Sequence, residues 1–106
     1  MKRPAVYILG SGRNGTLYTG LTSDLVKRIG QHKAKAIPGF TRSYRVDRLV
    51  WFEAHSTMES AIRREKAIKE WRRAWKLELI ERGNPGWKDL FVEITEAAAG
   101  FKSAAR

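Results

Sequence analysis

Short runs of apolar, β-favouring residues predict three strands along the chain. The β-rich runs are residues 5–9 (AVYIL), 17–21 (LYTGL) and 48–55 (RLVWFEAH). The turn residues SGRNG lie between the first two runs, and these runs are therefore expected to form an antiparallel hairpin.

The hairpin is followed by a segment with the apolar spacing of a short helix. Ser23 or Asp24 can cap its first turn, and Leu25 and Ile29 then face inward. The side chains expected on its outer face are Lys27, Arg28, His32 and Lys33. Pro38 then breaks the helical pattern.

Two further helices are predicted after the third strand. Ser56 and Glu59, three residues apart, form a capping box at the start of a helix over 56–71. A basic helix over 72–83 follows. The order β-β-α-β-α-α predicts an α+β fold in which helices flank a small three-stranded antiparallel β-sheet.

The chain of 106 residues fits one domain, which we expect to span residues 1–94. Residues 95–106 are small and weakly patterned, and we expect them to form a flexible C-terminal tail.

Charge is the first indication of function. Lysine and arginine number 21 against 11 aspartates and glutamates, a formal net charge of +10. Such an excess attracts polyanions, chiefly nucleic acid. The chain has no cysteine and two histidines, which argues against a zinc cluster. Its apolar runs are too short for a membrane span or a signal segment, so we expect a cytoplasmic protein that does not bind membranes.

Basic residues concentrate in two segments. Residues 24–48 hold seven basic side chains against two acidic ones, and residues 63–78 hold seven against three. The candidate nucleic-acid contacts in these segments are Lys27, Lys33, Lys35, Arg42, Arg64 and Lys69. Trp71 and Trp75 lie in the second segment, where tryptophans can stack on bases but more often belong to a core, which we favour here.

Glu65 falls near the middle of an apolar stripe on the second predicted helix. A buried carboxylate is costly unless it is paired or bound to a metal. Glu65 is therefore expected to have a cationic partner. That partner is either a divalent ion or a base such as Lys69 or Arg28, and the pattern does not choose between them.

Four further side chains would complete a hydrolytic centre with Glu65. Tyr7 and Tyr18 lie on facing hairpin strands, and Arg28 and His32 lie four residues apart on one helix face. The set offers a carboxylate for Mg²⁺, a guanidinium for phosphate charge, and a phenol or imidazole for proton transfer. We expect the five side chains to converge on one basic concave surface. Each also has an ordinary role available, as a core aromatic, a solvated charge or a surface histidine.

The ordered set of motifs resembles the GIY-YIG nuclease superfamily, and more narrowly its small single-domain bacterial proteins. The first motif element is VYI at residues 6–8, and the second is YTG at residues 18–20. The resemblance covers about residues 4–91, and the remaining matching segments are GLTSDLVKRIGQH, FTRSY, AIRREKAIKEWRRAWK and NPGW. Val6 and Thr19 depart from the family pattern, but neither departure removes a reactive side chain.

The resemblance implies a role for each candidate residue. Tyr7 and Tyr18 would line the site, one of them positioning or deprotonating the attacking water. Arg28 would stabilise the scissile phosphate, and His32 would assist proton transfer or contact phosphate. Glu65 would hold a single Mg²⁺ or Mn²⁺ ion.

The expected function is therefore that of a divalent-metal-dependent endonuclease that hydrolyses DNA, with Asn84 at the edge of its site. Repair of branched or damaged DNA is the kind of task such a protein would serve, with a protein partner supplying specificity. The alternative is a basic nucleic-acid-binding module that keeps the fold but has little or no catalytic turnover.

Overall fold

The computed structural model describes residues 3–104, which form three strands and five helices. In chain order these are β1 (Ala5–Gly10), β2 (Leu17–Thr22), α1 (Leu25–Lys33), α2 (Phe40–Tyr44), β3 (Arg48–Ala54), α3 (Met58–Glu70), α4 (Arg73–Gly83) and α5 (Phe91–Ala104). The strands form one antiparallel sheet in the order β2-β1-β3. The predicted α+β fold class is thus confirmed, and β1 is the central strand.

Helices cover both faces of this sheet, which is why every residue of β1 is buried. Val6 and Ile8 face α3 and α4 in one apolar cluster, which includes Ala61, Ile68 and Ile80. Tyr7 and Leu9 point to the other face, where they meet Ile29 of α1 and partly buried residues of α5. The two helices that carry the candidate site residues, α1 and α3, therefore pack on opposite faces of the sheet.

Helix boundaries follow local capping chemistry. Asp24 caps α1 by accepting a hydrogen bond from the Lys27 N–H at 3.3 Å. The cap of α3 is Thr57 rather than the predicted Ser56, because the Thr57 hydroxyl accepts from the Ser60 N–H at 3.1 Å. The expected capping box with Glu59 is accordingly not formed.

Helix α2 follows the break at Pro38 and Gly39, where the sequence predicts no helix. Gly39 begins it with a φ of 115°, a conformation that favours glycine. This five-residue helix covers the end of α1 and supplies a side chain to the site.

Helix α5 crosses the predicted domain boundary at residue 94 and continues through Ala104. Residues 105 and 106 of the predicted tail lie outside the described part of the chain, and the flexibility of the tail stays a prediction. Within residues 3–104, no helix combines the length and the apolar character needed to cross a membrane.

Candidate active site

The site is built around Tyr7, which lies on the central strand and is 2% exposed. Tyr7 pairs with Gly20 of β2, so the hairpin register places Tyr18 diagonally from it, opposite Leu9. A Cβ atom at position 20 would lie 2.4 Å from Cζ of Tyr7 and 2.5 Å from its hydroxyl oxygen. The glycine of the YTG motif thus leaves the space that the Tyr7 ring occupies, and the phenol extends over the edge strand β2.

The Tyr7 hydroxyl belongs to a chain of three buried side chains. Its oxygen lies 3.0 Å from Nε2 of His32, and Nδ1 of His32 lies 3.0 Å from Oγ1 of Thr41. His32 is 5% exposed, so its predicted place on the outer face of α1 is wrong. It is buried because α2 covers this end of α1. Sequence reasoning missed Thr41, although the matched segment FTRSY contained it.

Burial and nearby charges fix the protonation of this chain. Burial raises the pKa of Tyr7 far above its ordinary value; Tyr18 raises it further, Arg28 lowers it and Glu65 raises it. Burial lowers the pKa of His32, as does Arg28, with Asp47 acting in the opposite direction. Near neutral pH, Tyr7 is therefore a phenol and His32 a neutral imidazole, so one ring nitrogen can accept a hydrogen bond.

An aromatic row connects the buried phenol to the protein surface. The centroid of the Tyr18 ring lies 6.4 Å from the centroid of the Tyr7 ring and 5.7 Å from that of the His32 ring. On its other side the Tyr18 ring stacks with Phe40, at 6.4 Å and an interplanar angle of 24°. Phe40 contacts Tyr44, and both rings are exposed on α2. The predicted pairing of the two tyrosines is thus present as a diagonal contact.

Arg28 lies on α1 beside this group of aromatic side chains. It lines a surface groove of about 240 Å³ together with Asp24, Lys27 and Gln31. The Arg28 guanidinium lowers the pKa of both Tyr7 and His32, so its charge lies near both groups. Among residues 3–104 it has no carboxylate within 4.0 Å. The guanidinium is therefore available to an anion in the groove.

Glu65 lies on α3, on the opposite face of the sheet from α1. Its side chain is 13% exposed, and its Oε2 lies 2.7 Å from Nζ of Lys69. The structure thus shows one of the two partners that the sequence left open, a lysine. The Glu65 carboxylate also raises the pKa of Tyr7, and α3 packs against β2. The charges of Arg28 and Glu65 therefore both act on Tyr7, although α1 and α3 cover opposite faces of the sheet, and the convergence of the five side chains on one surface stays a prediction.

A metal ion at Glu65 would have few protein ligands. No group of three or more histidine, cysteine, aspartate or glutamate side chains suitable for a metal occurs in the described residues. Mg²⁺ commonly binds through one or two carboxylates and completes its shell with water and phosphate oxygens. A lone, partly buried glutamate fits that pattern, and Lys69 would have to release Oε2 or share the carboxylate.

The predicted nucleic-acid contacts differ in how far their side chains are available to a ligand. Lys27 and Lys35 are exposed. Lys33 pairs with Asp89, which also accepts hydrogen bonds from the backbone N–H groups of Leu49 and Phe91. Burial alone would raise the pKa of Asp89, but the hydrogen bond from Lys33 and the two backbone hydrogen bonds hold it below its ordinary value. Lys33 therefore joins α1 to the segment before α5.

The remaining basic candidates are placed differently again. Arg64 donates to both carboxylate oxygens of Glu53, at 3.1 and 3.4 Å, and lies over the ring of Trp71. Lys69, the partner of Glu65, is half exposed. Arg42 lies on α2, but its side chain falls outside the part of the chain that the structure describes. The predicted core placement of the tryptophans fits Trp71, which packs against the cluster of Val6 and Ile8, whereas Trp75 is 49% exposed.

Asn84 ends α4 and is 6% exposed. Its Nδ2 donates to the carbonyls of Val50 and Lys88, and its Oδ1 accepts from the Lys88 N–H. These bonds lie beside β3, the sheet edge opposite β2. Asn84 therefore fastens the turn after α4 to the sheet and is not brought together with Tyr7.

An apolar cavity of about 330 Å³ lies between the sheet, α1 and α5. Leu25, Val26, Phe52 and Ile94 are among its walls, and none of the five candidate residues lines it. Because none of the candidate residues reaches this cavity, we assign the candidate site to the edge at β2 instead.

Comparison with known proteins gives the chain a family. A model of the GIY-YIG catalytic domain matches residues 3–78, which include all five candidate residues. A UPF0213 protein of Staphylococcus saprophyticus is 36% identical over 83 residues, 78% of this chain and 100% of that protein. A UPF0213 protein of Desulfotalea psychrophila is 36% identical over 92 residues, 84% of this chain and 83% of that protein.

A solved structure agrees with this assignment. The solution NMR structure of a UPF0213 protein from Bacillus halodurans is 31% identical and has a TM-score of 0.53. The match covers 82% of this chain and 92% of that one. The chain therefore belongs to the GIY-YIG family. The catalytic domain of this family is in general an endonuclease domain.

Proposed function

We propose that this protein is a divalent-metal-dependent endonuclease that hydrolyses phosphodiester bonds of DNA in the cytoplasm. The observation that carries the proposal is the buried hydrogen bond between Tyr7 and His32, with the charges of Arg28 and Glu65 close enough to shift the pKa of Tyr7. Residues 1–94 would form the nuclease domain. Action in DNA repair, with a protein partner that supplies specificity, is the context that we propose for it.

The paired phenol and imidazole provide a route for a proton. The attacking water gives a proton to the Tyr7 oxygen as the Tyr7 O–H proton passes to Nε2 of His32. The water oxygen forms its bond to phosphorus, and the bond from phosphorus to the leaving sugar oxygen breaks. That oxygen takes a proton from solvent, and the His32 imidazolium later returns its proton to solvent. The route avoids a free Tyr7 phenolate, which burial disfavours.

Arg28 and Glu65 account for the negative charge. Arg28 can donate two parallel hydrogen bonds to phosphate oxygens, which strengthen as charge develops there. Glu65, with oxygen atoms from water and substrate, would hold Mg²⁺ or Mn²⁺. When bound, such an ion supplies Lewis-acid stabilisation of the phosphate.

The second candidate function is a basic nucleic-acid-binding module with little turnover. The ion pair between Glu65 and Lys69 favours it, because the carboxylate already has a cation. Lys27 and Lys35, both exposed, would supply phosphate contacts in either case.

Labelled duplex, flap and junction DNA distinguish the two functions. With Mg²⁺ or Mn²⁺, we expect the wild-type protein to cleave at least one of these substrates and to lose cleavage in a chelator. Arg28→Lys keeps the charge but removes the planar guanidinium, which can donate two parallel hydrogen bonds to phosphate. We therefore expect the cleavage rate to fall about 100-fold, with most DNA binding retained. Arg82→Lys, which alters an exposed arginine on α4, is the matched control and should cleave normally. Salt-sensitive binding without products from any substrate would favour the binding module.

A further inference from the structure

The hydroxyl of Thr41 lies at the far end of the chain of hydrogen bonds that starts at Tyr7. Thr41 is 7% exposed and belongs to α2, and its Oγ1 lies 3.0 Å from Nδ1 of His32. No other hydrogen bond of this hydroxyl occurs among residues 3–104. Its one described contact is therefore with the histidine that we place in the proton route.

The two contacts of His32 allow two arrangements of protons. In the first, Nδ1–H donates to Thr41 and the Tyr7 hydroxyl donates to Nε2. In the second, Thr41 donates to Nδ1 and Nε2–H donates to the Tyr7 oxygen. Only the first arrangement gives Nε2 a free lone pair toward Tyr7, as the proposed proton route requires.

Acidity favours the first arrangement. A phenol is a far stronger acid than an aliphatic alcohol, so the stronger bond to the imidazole lone pair comes from Tyr7. The second arrangement would also leave the Tyr7 hydrogen without an acceptor, because His32 is the only described hydrogen-bond partner of that hydroxyl in residues 3–104. The first arrangement likewise leaves the Thr41 hydrogen without an acceptor among residues 3–104, so the difference in acidity decides between the two.

We propose that Thr41 is a positioning residue, which holds His32 in the Nδ1–H tautomer and thereby directs the bare Nε2 toward the Tyr7 hydroxyl. The effect on catalysis rests on the proposed nuclease function, whereas the tautomer does not. Helix α2 then acts as part of the site through a side chain that contacts His32.

Nitrogen-15 NMR of the histidine rings tests the tautomer without any substrate. The His32 signals are assigned by their absence in His32→Gln. We expect a protonated Nδ1 and an unprotonated Nε2 in the wild type and in Thr41→Ser. In Thr41→Val, which keeps the shape but removes the acceptor, we expect the proton to move to Nε2. A protonated Nε2 in the wild-type protein would overturn the proposal even if Thr41→Val fails to fold, and so would an unchanged tautomer in a folded Thr41→Val.

Cleavage kinetics test the consequence. We expect Thr41→Val to lower kcat by about 100-fold with little change in KM, and Thr41→Ser to restore most of the rate. Thr95→Val removes a threonine hydroxyl of α5 that donates to the carbonyls of Phe91 and Val92, away from the site, and should cleave normally. A Thr41→Val protein with wild-type kcat would overturn the positioning role. A wild-type protein that shows the expected tautomer but no cleavage would instead contradict the proposed nuclease function.

Discussion

Tyr7 illustrates at the scale of one residue how a reactive group can be buried almost completely and still belong to a reaction centre. Its pKa is raised by burial, so it cannot act as a free phenolate. Hydrogen-bonded to His32, it can pass a proton onward, and the imidazole then determines the pH range of activity.

The pH dependence of cleavage follows from His32. Because its pKa lies below the ordinary 6.5, we expect kcat/KM to be flat near neutral pH and to fall as the pH drops through that lowered value. Burial lowers the pKa of His32, as does Arg28, and Asp47 raises it. The side chains of Tyr7 and Tyr18 also face the ring. Rates measured from about pH 5 to pH 8 check the prediction, and a His32→Gln variant should lose this acid limb.

Stability should depend on pH in the same direction. Between the lowered native pKa of His32 and 6.5, the unfolded chain binds more protons than the native one, so the free energy of unfolding falls as the pH falls. Denaturant titrations of wild type and His32→Gln measure the difference. An equal pH dependence in both proteins would contradict the buried placement of the ring.

Sequence predicted the burial of Glu65 better than that of His32. The helical spacing correctly placed Glu65 where it is partly buried and needs a cation, and Lys69 supplies one. It placed His32 outside because a nine-residue helix gives no sign of what covers its last turn. That cover is α2, whose five residues are too few for periodicity to reveal.

At the scale of secondary-structure elements, the close approach of β1 and β2 at Gly20 is the feature most sensitive to change. We expect Gly20→Ala to displace the Tyr7 ring, cost about 1–3 kcal/mol of stability and abolish cleavage, since its Cβ would lie 2.4 Å from that ring. Gly30→Ala is the control, because a Cβ there meets no atom within 4 Å and the position lies inside α1. It should stabilise the protein by about 0.5–1 kcal/mol. Thermal unfolding and cleavage rates check both, and a Gly20→Ala protein with normal activity would contradict the register described for the site.

The arrangement of the helices around the sheet also explains why the shape of the site could not be predicted from the sequence. Two helices on opposite faces contribute Arg28 and Glu65, and a helical wheel gives no information on which face of a sheet a helix will cover. Similarly, Ser56 and Thr57 are both good capping residues. The choice of Thr57 follows from the extended backbone at that position and its hydrogen bond to Ser60.

At the scale of the whole molecule, a net charge of +10 indicates affinity for nucleic acid, but individual basic residues serve different purposes. We expect Lys35→Ala to weaken DNA binding, to reduce the slope of log K against log salt by about 1 and to leave stability unchanged, because Lys35 is exposed. Lys33→Ala should instead cost about 1 kcal/mol of stability, because Lys33 pairs with the partly buried Asp89. Binding isotherms at several salt concentrations and denaturant titrations separate the two effects. Equal behaviour of the two variants would contradict the assignment of Lys33 to the fold.

The central claim is that the residues around Tyr7 form a hydrolytic centre, and nicking of supercoiled plasmid in Mg²⁺ by wild type and Glu65→Gln tests it most directly. Glu78→Gln, an exposed glutamate on α4, is the matched control. We predict nicking by the wild type and by Glu78→Gln, and none above background by a folded Glu65→Gln that still binds DNA. Equal nicking by wild type and Glu65→Gln would contradict the account.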